Sequence, residues 1–436
     1  MIAGLPLIVS HFARARWRWH VLRGDRLRRF QERRARRIVR HANRHAPFYR
    51  NHWQGHDRDN WRALPTVDKR LMMDHFDTFN TRGLSGERAM QIALAAEQSR
   101  DFAPTLEGFT VGLSSGTSGH RGLFVAGPWE QAAWAGTILA RTLHDLRRRY
   151  RVAFFLRSNS NLYERAGGTL IQFRYFDLML PLAEAVAALN TYQPQIVIGP
   201  PSLLGMLAGE RERGRLRIAP ERLISVAEVL EPQDRERLAA IFGAPVHQVY
   251  QCTEGLLALS CAQGALHVQE DIVALQYEPL DGARVTPIVT DLWRTTQPII
   301  RYRLNDVLQL EAQPCACGSP WQVIGAIEGR SDDVCYFEAR TGGLRPFFPD
   351  TIRRMILLAS PAIVEYQAVQ ERPGQLRITL DLAPDVPFAA VTAAVRASVD
   401  ATVAQYDCHR ADVTIEPGVH IAAAGIKRRR VRRIDA

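Results

Sequence analysis

The chain lacks the features that define secreted and membrane-spanning proteins. Its six cysteines are too few for a disulfide framework in 436 residues, and no window reaches the roughly eighteen apolar residues that a membrane span requires. The opening MIAGLPLIVSHF is too short for a span and has neither a basic leader nor a small-residue cleavage site. We therefore expect a cytoplasmic protein, with membrane contact limited to the surface of the basic N-terminus.

Several nucleotide- and nucleic-acid-binding signatures are also missing. The sequence has no internal repeat of about 20 to 50 residues, which argues against a solenoid or a propeller. It has no Gly-Lys-Ser/Thr of a Walker loop, and no helix-turn-helix or base-stacking signature. We therefore expect no specific nucleic-acid partner.

What the chain does have is positive charge concentrated at its two ends. The net charge is +11. The forty residues from His11 to Arg50 hold fourteen arginines but only two acids, Asp25 and Glu32, and so carry a charge of +12. A second basic run, KRRRVRR, covers residues 427–433. The first run is either a solvated helix face or a surface for an acidic partner, such as a carrier protein, anionic lipid or nucleic acid.

Alternating strand and helix patterns predict an α/β fold for most of the chain. Short apolar or β-branched runs bounded by turn residues indicate buried parallel strands. Helical patterns such as LPLAEAVAALNTY and PPSLLGMLAGERERG lie between them. With 46% hydrophobic residues, the chain can also bury a large core. The predicted strands lie at 151–156, 194–201 and 222–230.

The C-terminal part of the chain has a different pattern. The segment VEYQAVQERPGQLRITLDLAP predicts a hairpin around Pro373 and Gly374, and FAAVTAAVRASVDATVAQY predicts an amphipathic helix. Together they indicate a small α+β domain. We predict a basic helical N-terminal segment of the large domain at 1–84, an α/β core at 85–329, and a small mobile C-terminal domain at 330–436.

One loop has the composition of a phosphate-binding segment. It is LSSGTSGHRGLF, at 113–124. Successive backbone N–H groups and hydroxyls in such a loop can converge on an anion. Ser- and Gly-rich loops are also common as ordinary surface turns, so the loop alone leaves both interpretations open.

Further segments, together with this loop, form a recognisable set. They are HANRHAPFYRNHW and LPTVDKRLMM near the N-terminus, then VYQCTEG at 249–255, TDLWRTTQPIIRYRLNDVLQL at 290–310 and IEGRSDD at 327–333. In this order and spacing they resemble the adenylate-forming superfamily, and most closely its phenylacetate-CoA ligase and CapK-type branch. The resemblance spans nearly the whole chain from residue 35. It implies a large multi-layer α/β N-terminal domain and a small α+β C-terminal domain.

The resemblance implies an enzyme that joins a carboxylate to the α-phosphate of ATP and releases pyrophosphate. Thr253 would contact the α-phosphate, Glu254 would hold Mg²⁺, and Tyr250 would stack on adenine. Asp306 would bind the ribose hydroxyls with help from Arg330. The loop residues that would close over the β- and γ-phosphates are Ser114, Ser115, Gly116, Thr117, Ser118 and Gly119.

The loop departs from the common family pattern at its end. Arg121 and Gly122 stand where proline and lysine are usual. Either His120 or Arg121 would then supply the missing charge, or the loop would hold phosphate through its backbone and hydroxyls alone.

Three further roles are implied near the core and the C-terminus. GIKRRRV resembles the ending GKxxRv, which makes Lys427 the catalytic lysine that bridges the carboxylate and the α-phosphate. Ile426 stands where the family has glycine. The alternative interpretation is therefore that Lys427 is one more basic surface residue. Asp332 matches the hinge about which the small domain rotates, and Glu228 matches a position near the adenine pocket.

Four residues form a candidate metal-ligand set. Three thiolates and one imidazole would complete a closed tetrahedral Zn²⁺ site, and the segments resemble places where some members of the CapK-like branch bind zinc. The alternative is that they are ordinary buried cysteines. The candidate ligands are Cys261, His267, Cys315 and Cys317.

The expected acid is aromatic, with a pocket lined by Tyr163, Tyr175, Phe176 and Ser225, although aromatic residues at such places are also common in cores. Within the branch, the chain looks most like the adenylate-forming proteins of aryl polyene-type pigment pathways. That implies a 3- or 4-hydroxybenzoate, transferred to the phosphopantetheine thiol of an acyl carrier protein. One alternative is an aryl-CoA ligase that uses coenzyme A. Another is a nucleic-acid or membrane-surface binding protein on a degenerate adenylating fold.

Overall fold

The computed structural model describes residues 4–114, 122–143, 148–156, 171–418 and 429–434. The chain divides into two compact units. The first comprises Met1–Leu304 and Leu310–Gly325, and the second comprises Asn305–Gln309 and Ala326–Ala436.

Helices dominate the N-terminal part of the first unit, as the sequence predicts. The basic segment forms two helices, because Arg23 is extended and Gly24 has a φ of +48°, a left-handed conformation that favours glycine. No helix in the described part of the chain is both long and apolar enough to cross a membrane. The helices are α1 (Gly4–Val21), α2 (Gly24–His45), α3 (Pro47–His52), α4 (Lys69–Asp74), α5 (Phe76–Phe79) and α6 (Gly86–Ser99).

Helix α1 packs closely against α7 (Pro128–Thr142). At Gly136 of α7, an added Cβ would lie only 2.6 Å from the Ile8 carbonyl oxygen and 2.8 Å from the Phe12 nitrogen, so only glycine fits. On the same side of α1, the buried Arg18 donates to Asp271 at 2.7 Å. The N-terminal helix is therefore an integral part of the first unit.

A mixed sheet forms the centre of the first unit. Its parallel half runs in the order β7-β6-β5-β3-β4, and helices connect β4 to β5, β5 to β6 and β6 to β7. The predicted α/β alternation is confirmed. The strands are β3 (Tyr150–Leu156), β4 (Ile171–Asp177), β5 (Ile196–Gly199), β6 (Arg222–Ser225) and β7 (Val246–Cys252), and the helices are α8 (Leu182–Tyr192), α9 (Pro201–Glu212) and α10 (Pro232–Phe242). The hairpin β1 (Thr110–Leu113) and β2 (Leu123–Ala126) forms a separate small sheet.

Antiparallel strands extend the sheet beyond β7. Strand β8 pairs with β7, β9 pairs with β8, and the first residues of β14 pair with β9. Strand β11 pairs with both β10 and β12. The strands are β8 (Gly255–Ser260), β9 (Leu266–Val268), β10 (Val273–Asp281), β11 (Arg284–Asp291), β12 (Tyr302–Arg303), β13 (Asp306–Glu311) and β14 (Val323–Arg330).

The second unit is the small α+β arrangement that the sequence predicts. Its main sheet has the order β19-β18-β17-β20, and the predicted hairpin turns at Gly374, where φ is +76°. Helix α12 buries a valine at every fourth position against this sheet. The elements are β15 (Cys335–Glu338), β16 (Leu344–Phe347), α11 (Pro349–Leu357), β17 (Ile363–Arg372), β18 (Gln375–Leu382), α12 (Phe388–Gln405), β19 (Asp412–Pro417) and β20 (Val431–Arg433).

Candidate functional site

The base of the Gly/Ser-rich loop is closed by two hydrogen bonds. Ser114, which follows β1, donates its backbone N–H to the Gly122 carbonyl at 2.7 Å. Gly122 in turn donates its N–H to the Ser114 hydroxyl, also at 2.7 Å. Ser114 and Gly122 therefore extend the β1–β2 hairpin by one residue pair beyond Leu113 and Leu123. The remaining predicted phosphate-closing residues lie outside the described part of the chain: Ser115, Gly116, Thr117, Ser118 and Gly119.

A lysine from another element reaches this base. Lys69 is the first residue of α4, which Asp68 caps by accepting from the Leu71 N–H at 2.8 Å. A Cβ built on Gly122 would lie 3.1 Å from the Lys69 Cε and 3.4 Å from the Ser114 Oγ. The space beside Gly122, where the common family pattern has a lysine side chain, is thus occupied by the stem of Lys69.

Sequence reasoning missed Lys69, although a signal was present. The chain has 56 lysines and arginines together, and only Lys69 and Lys427 are lysines. Lysine offers a compact, strongly hydrated charge that differs from the planar guanidinium of arginine. In a chain that uses arginine almost everywhere, each lysine is a candidate for a specific role.

Thr253 and Glu254 form the two-residue turn between β7 and β8. Cys252 and Gly255 are the last paired residues of the two strands, and the Thr253 hydroxyl donates to the Glu254 carboxylate at 2.9 Å. Burial and the neighbouring Glu254 carboxylate raise the pKa of Tyr302 well above its usual range. Tyr302 is therefore a neutral phenol beside a carboxylate that is 9% exposed.

Arg294 ties this turn to the strand that follows the loop. Its guanidinium donates to the Thr253 carbonyl, and also to the Gln297 side-chain oxygen at 2.7 Å and the Val125 carbonyl at 3.4 Å. Gln297 is buried; its side-chain oxygen accepts from the Val125 N–H at 3.1 Å, and its amide donates to the Leu123 carbonyl at 3.3 Å. We call Arg294 and Gln297 the brace, because they fix the Thr253–Glu254 turn relative to β2.

Three more predicted residues lie at or near the carboxyl ends of the neighbouring parallel strands β6 and β7. Glu228 follows β6, and its carboxylate accepts from the Ser202 hydroxyl at 3.0 Å and the Ser202 N–H at 3.2 Å, at the start of α9. Ser225 ends β6; it is fully buried, and its hydroxyl has no hydrogen-bond partner among the described residues. Tyr250 is buried within β7. The carboxyl ends of parallel strands are where open α/β sheets bind ligands.

The predicted pocket residues on β4 make contacts typical of structural residues. The Tyr175 hydroxyl donates to the Leu156 carbonyl at 2.8 Å, and burial raises its pKa to about 12. Phe176 stacks on Phe155 with ring centroids 4.7 Å apart, within a hydrophobic core. Tyr163 lies outside the described residues.

Three predicted residues belong to the second unit. The Arg330 guanidinium lies 3.8 Å from the Asp306 carboxylate, so the two residues predicted to hold the ribose are adjacent. Asp332, the predicted hinge, lies in the short helix Ser331–Asp333 and accepts a hydrogen bond from the Asn305 amide. Lys427 lies outside the described residues.

The four predicted metal ligands come together in the first unit. Cys261 follows β8, His267 lies in β9, and Cys315 and Cys317 lie between β13 and β14. Their ligand atoms all lie within 4.8 Å of one another. The Cys261 and Cys315 sulfurs are 3.8 Å apart, and the Cys317 sulfur is 3.3 Å from the His267 Nε2.

These separations suit a tetrahedral zinc ion. Zn–S bonds of about 2.3 Å and Zn–N bonds of about 2.0 Å place two sulfurs roughly 3.8 Å apart, and a sulfur and a nitrogen roughly 3.5 Å apart. The His267 Nδ1 is 2.9 Å from the Trp321 carbonyl, which fixes the ring with Nε2 toward the cysteines. Burial lowers the pKa of His267, which favours the neutral form that binds metals. With four protein ligands the site would be closed, and hence structural.

Comparison with known proteins identifies the fold. No protein-family profile matches the chain. The chain is 24% identical over 380 residues to the phenylacetate-coenzyme A ligase of Thermus thermophilus, covering 81% of this chain and 80% of that protein. It is 24% identical over 163 residues to the protein CapK of Staphylococcus aureus, covering 36% of each.

Solved structures share this fold over most of the chain. A 2-hydroxyisobutyryl-CoA ligase in its postadenylation state matches with a TM-score of 0.69 and 22% identity, over 94% of this chain and 90% of that one. An anthranilate CoA ligase in complex with anthranoyl-AMP matches with a TM-score of 0.53 and 12% identity, over 75% of this chain and 67% of that one. The predicted fold, with a large α/β part and a smaller C-terminal domain, is confirmed.

Proposed function

We propose that this chain, a member of the adenylate-forming superfamily in its phenylacetate-CoA ligase-like branch, is an AMP-forming acid–thiol ligase. It would first join a carboxylic acid to the α-phosphate of ATP and release pyrophosphate, and then transfer the acyl group to a thiol. The observation that supports this best is the brace, because it holds the Thr253–Glu254 turn and the strand after the loop in one hydrogen-bonded unit.

The first step brings two anions together, so positive charge around the phosphates is its main requirement. Glu254 offers the carboxylate oxygen that Mg²⁺ prefers, and Thr253 would contact the α-phosphate. We assign to Lys69 the charge that the loop lacks at Gly122, since its stem passes beside the loop base. Lys427 keeps the role of the catalytic lysine, and Asp306 and Arg330 keep that of holding the ribose.

The acid we propose is a 3- or 4-hydroxybenzoate. The support is the family branch, in which the Thermus thermophilus relative is named for phenylacetate, and a fold shared with an anthranilate CoA ligase. The fully buried Ser225 hydroxyl at the end of β6, which has no hydrogen-bond partner among the described residues, is a candidate contact for the acid. A small aliphatic hydroxy acid is the competing substrate, because the 2-hydroxyisobutyryl-CoA ligase shares the fold over more of the chain.

The acceptor we propose is the phosphopantetheine thiol of an acyl carrier protein. An acidic carrier suits a chain with a net charge of +11. Coenzyme A also carries phosphates and fits the relatives equally well, so it is the alternative acceptor.

We also propose that Cys261, His267, Cys315 and Cys317 hold a structural Zn²⁺. The support is the residue types, the match of the Cys261–Cys315 and Cys317–His267 separations to tetrahedral geometry, and the hydrogen bond that orients His267. The ion would join β8 and β9 to the segment between β13 and β14.

The test is ATP–pyrophosphate exchange measured across a panel of aromatic and small aliphatic acids. We expect exchange above background with hydroxybenzoates. Exchange with no acid in the panel would contradict the proposed activity, and exchange with aliphatic hydroxy acids alone would contradict the aromatic substrate. The accepting acid is then offered carrier protein and coenzyme A in competition, and the thioester is identified by intact mass.

A further inference from the structure

Helix α2 presents a continuous stripe of arginines to solvent. At 3.6 residues per turn, the six side chains fall within about 80° of the helix circumference and extend over about 27 Å. All six are exposed, and none has an ion pair with a carboxylate in the described part of the chain. We call Arg26, Arg29, Arg33, Arg37, Arg40 and Arg44 the arginine stripe.

The acids of α2 do not neutralise this stripe. Asp25 pairs with Arg28, and Glu32 accepts from Arg36, Arg62 and the Trp61 indole. Both carboxylates therefore pair with arginines outside the stripe. The opposite face of α2 is buried through apolar residues such as Leu27, Ile38 and Val39, so packing fixes which side of the helix faces water.

The preceding helix exposes large apolar side chains. Leu5 is 51% exposed, Val9 is 55% exposed and Trp17 is 63% exposed. With Ala13, they recur every fourth residue along α1 and so share one side of it, which we call the apolar face. The buried side of α1 includes Arg18 and packs on α7, so this exposure is not a consequence of a loosely held helix. Helix α1 contains no acidic residue.

We propose that the apolar face and the arginine stripe form a docking surface for an anionic lipid bilayer. Arginines attract anionic headgroups, while leucine, valine and tryptophan enter the interfacial region, where an indole places its ring in the apolar layer and its N–H toward water. Leu22 and Arg23 alone separate the two helices, so both contributions lie within one continuous segment. The contact is peripheral.

The apolar face favours lipid over a nucleic acid. A phosphate backbone would use the arginine stripe but would gain nothing from burying Leu5 and Val9. An anionic bilayer offers a favourable contact to each of the two surfaces. This surface goes beyond the proposed ligase activity and does not depend on it, since none of its residues belongs to the candidate active site or the metal centre.

The test is flotation of the full-length protein with vesicles of phosphatidylcholine alone and of phosphatidylcholine with phosphatidylglycerol. We expect strong binding only to the anionic vesicles, and loss of most binding when salt is raised to about 0.5 M, where charges are screened within a few ångströms. Binding to both kinds of vesicle alike, or to neither, would overturn the proposal.

Two variants separate the contributions of charge and apolar contact. R33Q/R37Q/R40Q should lower partitioning onto anionic vesicles about a hundredfold, and W17Q about tenfold. The controls are R58Q/R217Q/R345Q and M206Q, which remove three exposed arginines and one exposed apolar side chain elsewhere. Equal losses in test and control variants would reduce the effect to net charge and overturn the proposal.

Two further measurements complete the test. Thermal unfolding of each variant should match the unaltered protein, because the substituted side chains are exposed. Binding of a short duplex DNA is measured in parallel. Retention on DNA with no retention on anionic vesicles would assign the arginine stripe to phosphate backbones and overturn the lipid proposal, whatever the outcome of the exchange assay.

Discussion

The proposed zinc site and the Thr253–Glu254 part of the candidate active site lie in the same unit but are assembled in different ways. The four candidate zinc ligands approach one another through their own side chains, and sulfur and nitrogen atoms alone define this cluster. The candidate active site is held largely through the backbone, since Arg294 and Gln297 bind main-chain groups of Thr253, Val125 and Leu123. The Cys/His cluster can be recognised in the sequence from its residue types. The backbone contacts of the candidate active site cannot, because every residue has a backbone carbonyl.

This contrast predicts that effects on reaction kinetics and effects on stability can be separated by the choice of substitution. Substitutions in the active site should change adenylation and leave metal content and unfolding alone. Substitutions in the metal centre should do the reverse.

The largest effect on the kinetic side is expected from Lys427→Ala. It should lower ATP–pyrophosphate exchange about a thousandfold, because a preorganised charge at the transition state contributes roughly a hundred- to a thousandfold in rate. The matched control is Arg432→Ala, which is exposed in β20. Arg429 is unsuitable because it pairs with the buried Asp333. Equal losses at Lys427 and Arg432 would place Lys427 in the general basic surface.

On the stability side, Cys317→Ser should remove bound zinc and lower the free energy of unfolding by about 3 kcal/mol, as the loss of a metal ligand is among the costly substitutions. Exchange at low temperature should stay within about twofold of the unaltered protein. Elemental analysis and thermal unfolding measure this, with Cys408→Ala as the control thiol from the second unit. Metal-free protein before any substitution would contradict the zinc assignment.

Lys69→Ala should lower exchange about a hundredfold, mostly through a higher KM for ATP, since in the proposed role the Lys69 charge would contact phosphate before and during the reaction. Lys69→Arg should recover much of this loss by restoring the charge. Arg70→Ala, the exposed neighbour, is the control. Unchanged ATP dependence in Lys69→Ala would exclude Lys69 as the source of the missing charge and return that role to His120, to Arg121 or to the loop backbone and hydroxyls.

The smallest effect is expected from Arg294→Lys. Lysine keeps the charge but not the planar fork that reaches two carbonyls and an amide oxygen, so exchange should fall about tenfold. Arg303→Lys, in an exposed pair with Glu278, is the control. A change in unfolding rather than in exchange would make the brace a structural feature and remove the distinction between the two sites.

Much of the fold was predictable from local pattern. Buried parallel strands appear as short apolar runs, and the C-terminal hairpin is marked by Pro373 and Gly374. The division of the basic segment into α1 and α2 was not predicted, although Gly24 is the residue that permits it. Arginine-rich helical patterns lie on both sides of Gly24, so composition alone does not mark the break.

The candidate site was predictable only in part, because some of its residues are held by backbone contacts or meet across a long sequence separation. Thr253, Glu254 and the four metal ligands have chemically distinctive side chains in recognisable segments. Lys69 lies far from Gly122 in sequence, and nothing local to either residue indicates that they meet. The contacts of Arg294 are mainly to backbone carbonyls, which leave no trace in residue type.

The close approach at Gly136 has a practical consequence for anyone who expresses or engineers this chain. The α1 backbone contacts α7 so closely that a single methyl group would not fit at Gly136. Helix α1 is therefore part of the packed core of the first unit, and its removal should destabilise that unit. A truncated version beginning after Val21 would expose the surface of α7 around Gly136 and leave Asp271 without Arg18. Affinity tags are better placed ahead of α1 on a spacer, and a low-yield truncation would report damage to the first unit.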